Sequence, residues 1–106
     1  MDYQPRAVIV GAGPNGLTAA ARLAMAGWRV DIYERAGRAG GAAASSAEIF
    51  PGTIVDLGAA GHPFGVASPA FRVLDLEAHG LRWCNAPYPM AHPLEGAPAG
   101  ILHGSL

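Results

Sequence analysis

Residues 8–34 read VIVGAGPNGLTAAARLAMAGWRVDIYE, and within them the hydrophobic pattern changes twice. RAVIV, Arg6 to Val10, reads as an apolar run rich in β-branched residues that stops at Gly11, the pattern of a central strand buried on both faces. From Pro14 to Ala26 the composition turns to Ala, Leu and Met. These are strong helix formers, with Pro14 in the first turn and Gly27 just past the end. Leu17, Ala20, Ala21 and Ala24 recur at helical spacing and define an apolar stripe. Arg29 to Glu34 then alternates, placing Val30 and Ile32 on one face of a second strand. Strand, helix and strand in that order predict an α/β fold whose first unit is βαβ.

The turn into the helix is Gly11, Ala12, Gly13, Pro14, Asn15, Gly16, the spacing G-x-G-x-x-G. Each glycine has a physical duty: a tight turn, close approach of backbone to pyrophosphate, and close packing of helix on strand. The helix N-terminus then faces the phosphates with its amides and its positive dipole end. Such a turn alone is a weak signal, and a purely structural turn is the bland alternative. Here it follows an apolar strand, opens a helix, and is succeeded by Glu34 at the end of the second strand, 18 residues beyond Gly16. A carboxylate there accepts hydrogen bonds from ribose hydroxyls and repels a 2′-phosphate, which disfavours NADP. Dinucleotide binding on a Rossmann-like βαβ follows, with NAD and FAD both open on these residues.

Beyond Glu34, RAGRAGGAAASS has no period and is dominated by glycine and small residues, as in a loop that approaches something closely. Two short strands are expected around Pro51-Gly52. A helix is expected from the cap Ser68 and Pro69 to Gly80, with Phe71, Leu74 and Ala78 on one face. The tail holds four of the nine prolines and suggests a hairpin, YPMAH and GILHGSL around Glu95-Gly96. Because the sequence ends inside that strand pattern, an incomplete domain is expected.

Composition narrows the partners. Net charge is -1, and the seven basic residues are all arginines, scattered along the chain, so no nucleic-acid partner is indicated. Cys84 is the single cysteine, which rules out an internal disulfide and fits a reducing, cytoplasmic setting; beside Trp83 it reads as a buried small hydrophobe. No apolar run reaches the roughly 18 residues of a membrane span, leaving peripheral membrane contact at most. His62, His79, His92 and His103 lack metal-ligand spacing, so no metal site is expected. His79 reads as a helix C-terminal residue. Ser45-Ser46 lacks a nucleophile-elbow setting.

The segment ERAGRAGG, Glu34 to Gly41, resembles the E-x-x-x-R-x-G-G loop of the FAD-binding oxidoreductases that include amine oxidases and phytoene dehydrogenases. That resemblance implies FAD and adds Arg35, Arg38, Gly40 and Gly41 to the cofactor-binding residues; it also disfavours an NAD-binding dehydrogenase domain. Ala42 departs from the pattern, since many members carry Arg there. FPGTIVDLGAAGHP, with Asp56 two residues before Gly58, is similar to a stretch of the phytoene-dehydrogenase-like branch. In that setting His62 is either near the flavin or a plain loop residue. The resemblance implies hydride transfer from a small hydrophobic substrate to flavin, a chemistry the cofactor carries. Residues 1–65 are then the FAD-binding unit and 66–106 the start of a substrate-side region, with the C-terminal part of the enzyme lying elsewhere. No catalytic residue is assigned. The rival expectation is a non-catalytic module that binds ADP-containing nucleotides as a sensor or interaction partner.

Overall fold

In the computed structural model, which describes residues 3–59 and 61–104, the first strand β1 is Arg6–Val10, the helix α1 is Pro14–Met25 and the second strand β2 is Arg29–Tyr33. β1 and β2 pair in parallel, with Ala7 opposite Val30 and Ile9 opposite Ile32. A parallel pair needs a crossover, and α1 supplies it. The helix stops where Gly27 takes φ +83°, and Arg29 N–H bonds to Pro5 C=O at 2.9 Å to start the second strand.

Within the βαβ unit the structure departs from the sequence expectation at both α1 and β1. Ala12 and Ala20 are the only buried hydrophobic residues among those described. The docked side of α1 runs through Gly16, Ala20 and Leu23, while Leu17 and Ala24 of the expected stripe are exposed. The cause is Gly16: its missing Cβ lets the helix close on the Gly11 carbonyl and the Ile9 side chain, which rotates the contact line onto the glycine. β1 is not buried on both faces as expected. α1 covers the side of Ala7 and Ile9, whereas Val8 and Val10 are 58% and 87% exposed, and among the described residues β1 pairs only with β2. On that open face Arg6 and Asp31 form an ion pair at 2.6 Å.

β3, Ser45–Phe50, and β4, Thr53–Asp56, form the expected hairpin, turning at Gly52 with φ +75°. The helix α2 begins as expected, with the Ser68 hydroxyl accepting from Phe71 N–H and Pro69 in the first turn. It ends at Val73 rather than near Gly80, because Asp75 takes φ +48°, a left-handed conformation that Asp tolerates and a helix does not. His79 is therefore in a run of turns, not at a helix end.

The chain divides into compact units Met1–Asp75 and Leu76–Leu106. In the second, β5 (Met90–Leu94) and β6 (Ala97–Leu102) are antiparallel around Gly96, φ +71°. Ser105 and Leu106, at the end of the expected strand, and Ala60 lie outside the described residues. Cys84 is exposed, not buried. Among the described residues no helix is long and apolar enough to cross a membrane.

Candidate dinucleotide site

The parallel ladder runs into the glycine turn: Gly11 N–H donates to Tyr33 C=O at 2.7 Å. Gly11 then takes φ +96°, a value that strains any residue with a Cβ. The chain turns into α1, where Leu17 N–H bonds to Gly13 C=O at 2.9 Å. Gly13 is the N-cap and supplies no side-chain bond to the first turn. The early amides of a helix have no partner inside it, so those of Asn15 and Gly16 are left to an external acceptor. Gly13 itself has φ −76°, which any residue adopts. A Cβ built on it would meet nothing within 4 Å. The glycine is thus required neither by backbone conformation nor by protein packing, and the open space it leaves suits a bulky phosphate group.

Glu34, next after β2, ties three segments together. One carboxylate oxygen accepts Ala12 N–H at 2.7 Å and the other accepts Ala36 N–H at 2.8 Å. These bonds, the one from Ala36 first, hold its carboxyl below the ordinary value of 4.5, with the Arg35 charge adding to them. A depressed native pKa means that the stabilisation is fully present above pH 4.5 and is lost as pH falls through the lowered value. The unfolding midpoint of Glu34→Gln should therefore lie below that of the parent at neutral pH and converge with it on acidification. A difference that persists undiminished at about pH 3 would contradict this.

The loop after Glu34 returns to the turn. Gly40 N–H bonds to Ala12 C=O at 2.8 Å, so Ala12 is held on both its amide and its carbonyl. Gly41, at φ +55°, sits so close that an added Cβ would lie 3.0 Å from Gly13 Cα. Gly11, Ala12, Gly13, Gly16, Glu34, Gly40 and Gly41 are thus brought together. Arg38 is directed elsewhere: its guanidinium donates to Ser45 C=O at 2.8 Å. Arg35 is exposed beside Glu34. Pro14 and Asn15 edge a cavity of about 390 Å³ whose other walls include Thr18, His62, Phe64 and Ser68. Among the described residues no group of His, Cys, Asp and Glu is placed to hold a metal ion. Three residues beside this loop carry no binding role on sequence reasoning: Ser45 and Asp56, which are hydrogen-bonded to each other, and Gly58, which lies against Ala42. Ser45 is considered there only as a nucleophile, and Asp56 and Gly58 only as part of a family-like stretch; the D-x-G spacing beside a hairpin is the signal that could have found them.

The chain matches the NAD(P)-binding Rossmann-like domain over residues 9–85. It belongs to that family. The βαβ unit is thus the start of a Rossmann-like fold, and a dinucleotide is the class of cofactor. A limonene dehydrogenase subunit of Castellaniella defragrans is 35% identical over 93% of this chain, which spans 18% of that protein. An uncharacterised protein of Mycobacterium tuberculosis is 54% identical over 47% of the chain, which spans 9% of it. No solved structure gives a significant match.

Proposed function

We propose that this Rossmann-like chain supplies the ADP-binding part of an FAD site in an oxidoreductase of the phytoene-dehydrogenase-like kind. Residues 1–65 are the FAD-binding unit and 66–106 begin the substrate-side region. The observation that carries the reading is the double tie at Ala12, whose amide meets Glu34 and whose carbonyl meets Gly40. It joins the glycine turn, the acidic strand end and the GRAGG loop in one cluster. Pyrophosphate would lie on the first-turn amides of α1 over Gly13, with Asn15 at its flank. Glu34 would accept a ribose hydroxyl on a lone pair not used by Ala12 or Ala36, and Arg35 would add positive potential near the phosphates. When bound, FAD would supply hydride acceptance; the residues of this chain bind and orient it. A hydrophobic substrate is favoured by the similarity to a protein named for limonene dehydrogenation, limonene being a hydrocarbon, and that protein's designation as a subunit favours a partner chain.

The complete enzyme should purify yellow, and the ligand released by heat should co-chromatograph with FAD. Recovery of NAD, or of no nucleotide from folded protein, would overturn the assignment. Replacing Glu34 by Ala should weaken FAD retention about ten- to a hundredfold, the usual scale for losing a charge-assisted hydrogen bond, as measured by titration of the apoprotein.

A further inference from the structure

We propose that Asp56 is a positioning residue for the nucleotide site, acting through Ser45 to hold the Gly40–Gly41 loop against the glycine turn. Ser45 opens β3 directly across from Asp56 at the end of β4, and its hydroxyl donates to the Asp56 carboxylate at 2.6 Å. The carbonyl of the same Ser45 receives the Arg38 guanidinium at 2.8 Å. Ser45 is therefore held from the hairpin on one side and from the GRAGG loop on the other.

A backbone chain runs parallel to these side-chain bonds. Leu57 N–H donates to Ala44 C=O at 3.0 Å, Ala44 N–H to Gly41 C=O at 3.3 Å, and Gly40 N–H to Ala12 C=O at 2.8 Å. These bonds link Leu57, next to Asp56, with Ala12 of the turn by way of residues 40–44. Gly58 adds a close approach, since a Cβ there would stand 3.1 Å from the Ala42 carbonyl oxygen and 3.2 Å from its Cβ. The hairpin thus packs on the short 3-10 turn Gly41–Ala43 that follows the glycine pair. Arg38 takes its role here as an anchor of this loop rather than as a hand on phosphate.

The inference rests on the proposed FAD reading, and the test separates the two. In the complete enzyme stripped of cofactor, Asp56→Ala and Ser45→Ala should each raise the FAD dissociation constant about five- to tenfold. Asp56→Asn, whose amide oxygen still accepts from Ser45, should stay close to the parent. The double variant should be no worse than either single one, because both remove the same bond. Trypsin should cut the Asp56→Ala apoprotein faster after Arg35 and Arg38, as read by mass spectrometry, with the unfolding midpoint unchanged; a merely structural role would move the midpoint instead. If Gly13→Val loses FAD while Asp56→Ala and Ser45→Ala bind it like the parent, the positioning role is overturned and the FAD reading stands. Unchanged FAD binding in Gly13→Val overturns the FAD reading, and cleavage after Arg35 and Arg38 then decides the loop anchor by itself: unchanged cleavage overturns it. Should Asp56→Ala fail to fold, Ser45→Ala, which leaves the carboxylate in place at an exposed position, carries every arm.

Discussion

On the proposed FAD reading, Gly13→Val in the complete protein should lose FAD by at least about a hundredfold, since two or more charge-assisted amide contacts to phosphate would depend on that approach. The apoprotein should still fold. The backbone at Gly13 has φ −76° and a Cβ would meet nothing within 4 Å, so the protein has room for the side chain that the ligand does not. A β-branched residue is a poor N-cap and costs about 1 kcal/mol, which shifts the midpoint of a large domain by no more than about 4 °C. Gly16→Ala behaves oppositely. Its Cβ would fall on the Gly11 carbonyl oxygen, forcing α1 off β1, and overpacking of that kind costs about 1–3 kcal/mol. The two variants therefore separate binding from folding within one motif. Calorimetry of both apoproteins beside FAD titration reads the difference. Retention of FAD within threefold of the parent by Gly13→Val would remove the turn from the binding site.

The same pair shows how far the sequence could be read. The motif spacing placed three glycines in the turn and distinguished their duties; the contact at Gly16 agrees with its packing duty, and the space at Gly13 is open. The βαβ order was legible because strand and helix periods differ and the breakers Gly11 and Gly27 stand at the joints. What could not be read was the rotation of α1. Counting apolar positions favours Leu17 and Ala24, but the closest approach is set by the residue without a side chain, and a hydropathy pattern gives glycine no weight. α2 failed for a different reason. Leu74 and Ala78 keep a helical period, yet the left-handed backbone at Asp75 ends the helix, and an Asp in mid-pattern signals that only weakly. Ser45 and Asp56 were invisible as a pair because a cross-strand contact depends on hairpin register, which the sequence around Pro51-Gly52 leaves undetermined.

Expressed alone, residues 1–106 should bind FAD only weakly and should self-associate. Ordering a residue costs about 1–2 kcal/mol in backbone entropy, and the opposing burial must come from apolar side chains. Among the described residues only Ala12 and Ala20 are buried, each contributing little more than a methyl group. Val8, Val10 and Tyr33 share the face of the β1–β2 pair opposite α1 and are 58%, 87% and 61% exposed. The outer edge of β1 has no partner strand among those residues, and Ala7 to Val10 carries neither the charges nor the proline that protect natural edges. Such an edge adds strands from other molecules. The α1 N-terminus and Glu34 are present in the isolated chain, so a residual affinity for ADP should survive wherever the βαβ unit is transiently formed. Sedimentation, amide exchange and FAD titration of the 106-residue chain test this together. Concentration-dependent association, little exchange protection outside β1, α1 and β2, and FAD affinity weaker than micromolar are expected. A monodisperse, protected chain with submicromolar affinity would show that these residues form a self-sufficient nucleotide-binding module, and would favour a sensor or interaction partner over one part of an oxidoreductase.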